Sequence, residues 1–243
     1  MLTVKLLQDT AAIIEDVFAS AELFSCITGS VLDPDTRSGS DIDIVVVLPA
    51  AVPVPRALAL RAEFTRRYVA LHHTHQRTPD LTWPGEVLYL DDLHHALNGA
   101  AFARNPHGGD TPELCPDDQP YRYWISMIAT GHPLTGPAAF EQNADACADL
   151  IARHATAAGA SQDDRHDYWQ HTWHLPAPPV SPRTGRITHH MHRATHRASP
   201  VPVLSPSTVP ILEQHQDRWR GIAREQASGY IRSGAAIPRS SNP

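Results

Sequence analysis

The chain has 243 residues, 42% of them hydrophobic and 19% charged, with a net charge of −6 and 16 histidines in reserve. That length suits one large domain or two small ones with a real core, and the mildly acidic balance argues against bulk, sequence-independent nucleic-acid binding as the main task. No apolar run approaches the roughly 18 residues of a membrane span, and Asp9, Glu15 and Asp16 near the N-terminus read against a signal peptide, so the expectation is a cytoplasmic protein with no membrane partner.

Residues 7–23 carry Ile13, Ile14, Val17, Phe18 and Ala21 at helical spacing, with Asp9 or Thr10 as a candidate cap. "FSCIT", 24–28, reads as a short strand, and 29–39 as a Gly/Ser/Asp/Pro loop. Residues 41–48, with "IVVV" at their centre, form the clearest strand. "PAAVPVP" breaks the chain before a helix over 56–75 that turns Leu58, Leu60, Phe64 and Leu71 toward a core. "TPDLTWPGEVLYL", 78–90, predicts one or two strands interrupted at Pro84-Gly85, and "DDLHHAL" opens another helix. The alternation predicts an α+β fold: a small mixed sheet flanked by helices, followed by a helical C-terminal region.

Helices are predicted over 121–130 and 137–158, joined by "GHPLTGP". Residues 175–210 are rich in Pro, His, Ser and Thr without periodicity and read as a linker or poorly ordered arm. A last helix runs from a cap at Ser207 or Thr208 to about Arg232, with Pro210 in its first turn, Glu213 facing back, and a thin stripe of Ile211, Leu212, Trp219, Ile222 and Ala223. The expected division is 1–100, 101–160, 161–207 and 208–243. Cys26, Cys115 and Cys147 form no CxxC pair and no zinc spacing, which predicts reduced thiols.

One stretch carries chemistry: "GSVLDPDTRSGSDIDIVVVLP", 29–49. On a strand, Asp41 and Asp43 share one face, about 7 Å apart at the Cα level, while Ile42, Ile44 and Val46 share the other. Two carboxylates held so close repel unless a cation sits between them. Mg²⁺ suits the position, because it takes oxygen ligands and binds one or two carboxylates together with substrate phosphates. Gly29-Ser30, following a strand and opening a loop, suits the phosphates themselves.

The pattern Gly-Ser, a spacer, then Ser-Asp-x-Asp followed by aliphatics resembles the signature of the polymerase-β-like nucleotidyltransferases, which include aminoglycoside and minimal types. The resemblance covers about residues 10–95. It implies an enzyme that binds a nucleoside triphosphate with two Mg²⁺, transfers the nucleoside monophosphate to an acceptor hydroxyl and releases pyrophosphate. It implies that Asp41 and Asp43 hold the metals, with Gly29, Ser30, Arg37 and Ser40 on the nucleotide side, Ser40 chiefly closing the loop. A third carboxylate on the next strand completes the family's site and acts as base. Asp80 in "TPDLTW" is the best match and Glu86 in "PGEVLYL" the rival. The acceptor, whether small molecule, protein or RNA, is not written in the motif.

Other features have plainer readings. "ITHHMHRATHR" places His192 and His196 four apart, a possible ligand pair, but without a third ligand it reads as a solvated basic arm, with RNA contact the minor alternative. His72, His73 and His75 end a predicted helix, where they suit its dipole. Trp124 and Met127 read as core. A non-catalytic relative that binds nucleotide or a partner, such as a toxin–antitoxin component, is the alternative to an enzyme. The presence or absence of a third carboxylate near Asp41 and Asp43 discriminates the two.

Overall fold

The computed structural model describes residues 3–32, 39–98, 101–103, 119–158, 201–203 and 211–232. Among them the order is α1 (Val4–Phe18), β1 (Phe24–Thr28), a 3₁₀ turn (Gly29–Leu32), β2 (Asp43–Leu48), α2 (Val54–Thr74), β3 (Glu86–Tyr89) and α3 (Leu90–Asn98). Then come β4 (Ala101–Ala103), α4 (Gln119–Thr130), β5 (His132–Thr135), α5 (Pro137–Ala158), β6 (Val201–Val203), a 3₁₀ turn (Glu213–His215) and α6 (Gln216–Arg232). The fold is α+β, with a small mixed sheet and a helical C-terminal region.

The described residues divide into two compact units. The first takes in those up to Leu90, with His132–Pro137 and 211–232; the second takes in the remainder. The first unit is built on a four-stranded sheet of order β3-β2-β1-β5. β1 runs antiparallel to β2 and β5, and β2 runs parallel to β3. A parallel pair needs a crossover, and α2 supplies it. One sheet face carries Ile27, Ile42, Ile44, Val46, Leu48, Val87 and Tyr89, packed with α1, α2 and α6 in one apolar core. The alternate residues Phe24, Cys26, Val45, Val47 and Leu88 are also buried, so the central strands read as continuous apolar runs. In the second unit, α3, α4 and α5 accompany the two-stranded pair β4-β6, and Trp124 and Met127 are core residues.

Several elements differ from the sequence reading. α1 begins at Val4, because the Thr3 side chain accepts from the Leu6 amide at 3.1 Å and caps it. Thr10 lies inside the helix, where its hydroxyl donates to the Leu6 carbonyl. The segment expected only to join two helices contains β5, an edge strand whose Pro133 lies opposite Cys26. Proline is compatible with an edge, where one row of amides has no ladder partner. Of the possible two strands in 78–90, only Glu86–Tyr89 forms. The last helix begins at Gln216, after a 3₁₀ turn; its expected cap at 207–208 lies outside the described residues, as do Cys115, His192, His196 and nearly all of the 175–210 arm. Cys26 and Cys147 are buried free thiols. No helix among the described residues is long and apolar enough to cross a membrane.

Candidate functional site

All the elements that build the site belong to the first unit. β1 and β2 pair in the register Ile27↔Ile44 and Thr28↔Asp43, so the end of β1 delivers Gly29 beside Asp43. Gly29 has φ +76, and a Cβ there would stand 1.8 Å from Asp43 Oδ2. The Asp43 carboxylate therefore occupies the space that any other residue's side chain would fill, and only glycine also takes that backbone conformation without strain. The Gly-Ser element and the Asp-x-Asp element, fourteen positions apart in the chain, meet at this point.

Asp41 and Asp43 keep intermediate solvent exposure as whole residues, but their carboxyl groups are surrounded by protein. Burial raises the pKa of both, Asp43 by more. For Asp41 the charge of Asp80 adds to the rise, and for Asp43 the charges of Asp41 and Asp80 both do. The Tyr68 hydroxyl, on α2, is buried and pushed well up by the same causes: burial first, then Asp41, Asp43 and Asp80. Four groups thus share one electrostatic neighbourhood.

Asp80 is not on a strand. It opens a turn in which its Oδ1 accepts from the Thr82 amide at 2.6 Å and the Trp83 amide at 3.1 Å. Aspartate competes for nearby backbone amides, and here that preference overrides the extended reading of "PDLTW". Its own amide donates to the Tyr68 hydroxyl at 3.4 Å. Glu86 sits elsewhere: it is buried on β3 opposite Val45 and, by strand alternation, on the face that also carries Asp43.

Two side chains brace the mouth of β2, and hydrophobic patterning could not have found either. His72 Nε2 accepts from the Ile42 amide at 2.7 Å, between the two aspartates, while its Nδ1 donates to the Tyr68 carbonyl at 2.8 Å. The acceptor role requires the neutral ring with its proton on Nδ1, and burial lowers the pKa to about 4. His72 is therefore a strand clamp and not the helix-end cation expected from the sequence. Arg77 Nη1 donates to the Ser40 carbonyl at 2.8 Å and to the Ser40 hydroxyl at 3.2 Å. Burial lowers the guanidinium pKa and the charge of Asp41 pulls it back. Arg77 thus brings a cation to the carboxylates and closes the loop at Ser40.

Ser30 lies half-buried in the 3₁₀ turn beside this mouth, and Arg37 falls outside the described residues. The donor set of Asp41, Asp43 and Asp80 is all carboxylate oxygen, the chemistry of a hard divalent cation. Among the described residues, no group of three or more His, Cys, Asp or Glu side chains converges as a ready-made metal cluster. The three carboxylates share a field, and Mg²⁺ needs only one or two of them together with substrate phosphates and water. Comparison of the chain with protein-family models, with curated proteins and with solved structures gave no match.

Proposed function

We propose that this protein is an Mg²⁺-dependent nucleotidyltransferase of the polymerase-β-like kind, moving a nucleoside monophosphate from a triphosphate to an acceptor hydroxyl with release of pyrophosphate. One observation carries the reading: Asp41, Asp43 and Asp80 act on one another and on Tyr68 at the mouth of β2, where Gly29 leaves room only for the Asp43 carboxylate. Burial and the neighbouring like charges raise the pKa values of Asp41 and Asp43, because carboxylates so placed are costly to ionise. An arrangement kept despite that cost is a candidate for function.

In this reading Asp41 and Asp43 hold the metal ions and Asp80 completes the set. Bound Mg²⁺ supplies charge neutralisation for the triphosphate and acidifies the acceptor hydroxyl. Gly29 and Ser30 border the phosphate side, Gly29 by its lack of a side chain and Ser30 by its hydroxyl. Arg77 and His72 keep the β2 mouth in place. The acceptor oxygen attacks the α-phosphorus, its proton passes to Asp80, and the bond to the β-phosphate oxygen breaks. The non-catalytic alternative is weakened by Asp80, whose charge reaches both other carboxylates.

Isothermal titration of ATP, GTP, CTP and UTP with Mg²⁺ tests the proposal on the wild type and on Asp41→Ala/Asp43→Ala. One triphosphate is expected to bind in a Mg²⁺-dependent way and to lose that binding in the double variant. A folded wild type that binds none of the four would sink the enzyme reading.

A further inference from the structure

Residues 80–85 have no regular secondary structure, yet side chains hold their backbone at almost every step. Asp80 holds the Thr82 and Trp83 amides. The Thr82 carbonyl accepts twice, from Gln216 Nε2 at 2.8 Å and from Arg220 Nε at 3.0 Å. The Pro84 carbonyl accepts from Arg61 Nη1 at 2.9 Å and the Gly85 carbonyl from Arg61 Nη2 at 2.7 Å. The Arg220 guanidinium also lies over the Trp83 ring, 5.7 Å from its centroid.

Gln216 and Arg220 are one turn apart on α6 and so share a face. Trp219, on the adjoining inner side of that helix, is fully buried: its ring lies 5.5 Å from the Arg61 guanidinium, and its indole N–H donates to the Leu212 carbonyl. α6 therefore grips the turn in two ways, directly through Gln216 and Arg220 and indirectly by backing Arg61. Packing does not require the direct grip. The buried stripe of α6 is Trp219, Ala223 and Ala227, while Gln216 and Arg220 are only half-buried.

We propose that α6 is a positioning element for the third carboxylate, and that Gln216 and Arg220 hold the Thr82 carbonyl so that Asp80 stays in register with Asp41 and Asp43. This rests on the reading of those three residues as the metal-binding set. Outer residues that orient a ligand commonly influence metal affinity by about 10–100-fold. The C-terminal helix thereby becomes a working part of a site whose motif ends more than a hundred residues earlier.

The test compares full-length wild type, Gln216→Ala/Arg220→Ala, Arg220→Lys and Asp41→Ala/Asp43→Ala, with Mn²⁺ as the probe. Amide hydrogen exchange at Thr82 and Trp83 reports the turn, and Mn²⁺ titration reports the site. The proposal expects faster exchange at those two amides in Gln216→Ala/Arg220→Ala and an Mn²⁺ affinity lower by about tenfold or more. Arg220→Lys, which keeps a donor, is expected to retain most of the affinity. If the double substitution prevents folding, Gln216→Ala alone carries the same comparison. Unchanged exchange, or unchanged Mn²⁺ affinity in a protein whose wild type binds Mn²⁺, overturns the positioning role alone. A wild type that does not bind Mn²⁺, or binds it equally without Asp41 and Asp43, overturns the metal site and this role with it.

Discussion

The mouth of β2 and the turn at 80–85 both present carboxylates to the same neighbourhood, but they are built in opposite ways. At the β2 mouth, Asp43 is placed by the pairing of β2 with the adjacent β1, and Gly29 follows directly from that register; Asp41 lies just before the strand, where His72 holds the intervening Ile42 amide. The turn has no ladder of its own. Its carbonyls are held by Arg61 on α2 and by Gln216 and Arg220, the last 138 positions away in the chain. A carboxylate on a strand inherits its geometry from the sheet, whereas one on a turn needs separate supports, and those supports come from wherever the fold brings polar side chains.

Substitutions can break this contrast in order of expected effect. Asp43→Asn is expected to abolish Mg²⁺-dependent nucleotide binding and yet raise the melting temperature at pH 7. The sign follows from linkage: a carboxyl whose folded pKa is raised favours the fold while protonated, and that contribution is lost as pH rises from the unfolded value through the folded one. The stabilisation over wild type should therefore shrink as pH falls toward the unfolded carboxylate range. Calorimetry across pH checks it, and a variant less stable than wild type at pH 7 would contradict the cost assigned to burying Asp43 beside like charges.

Arg61→Ala attacks the turn's supports at their most buried point. It leaves the Thr65 hydroxyl and the Pro84 and Gly85 carbonyls without that donor and removes the guanidinium from between Phe64 and Trp219. A loss of at least about 3 kcal/mol in chemical denaturation is expected. A far smaller loss would mean that the turn is held by its own Asp80 hydrogen bonds.

His72→Leu tests the clamp on the strand side. It leaves the buried Ile42 amide without its acceptor, at a cost of about 1–3 kcal/mol. The wild type should also lose stability as pH falls from about 6.5 to about 4, because the folded state holds His72 neutral while the unfolded chain takes up a proton. Arg77 and His75 add to that depression, and the Tyr68 carbonyl opposes it. Since Asp41 and Asp43 drive stability the other way on acidification, the His72 contribution is read as the wild-type slope minus the variant slope.

Gly29→Ala should have the smallest effect on stability and a disproportionate effect on the site. The positive φ costs an alanine about 1–2 kcal/mol, and the new methyl must displace the Asp43 carboxylate. Nucleotide affinity is expected to fall further than the stability loss alone would suggest. Equal falls would mean that the contact with Asp43 is incidental.

Much of the strand side was legible in the sequence because it depends on short-range rules. "FSCIT" formed β1 as expected and the "IVVV" run lies in β2, but that strand, expected over 41–48, begins at Asp43 and leaves Asp41 just outside it. The helix side was read only in part. α2 buries Ala57, Arg61, Phe64, Thr65, Tyr68, Leu71 and His72 along one stripe. Four of these, Arg61, Thr65, Tyr68 and His72, are polar or amphipathic residues that a search for apolar periodicity passes over, while Leu58 and Leu60 are only partly buried. β5 was missed because an edge strand of four residues containing Pro133 has no pattern to detect.

By itself, the sequence determined the α+β class, the strand β1 and the apolar run of β2 that starts at Asp43, since alternation and turn chemistry act over a few residues. Only the tertiary structure decided that His72 accepts from the amide between the aspartates, and that α6 reaches back to the Thr82 carbonyl. Those contacts join residues 30 to 138 positions apart, and a buried polar group finds its partner through the packing of whole elements, which no local pattern encodes.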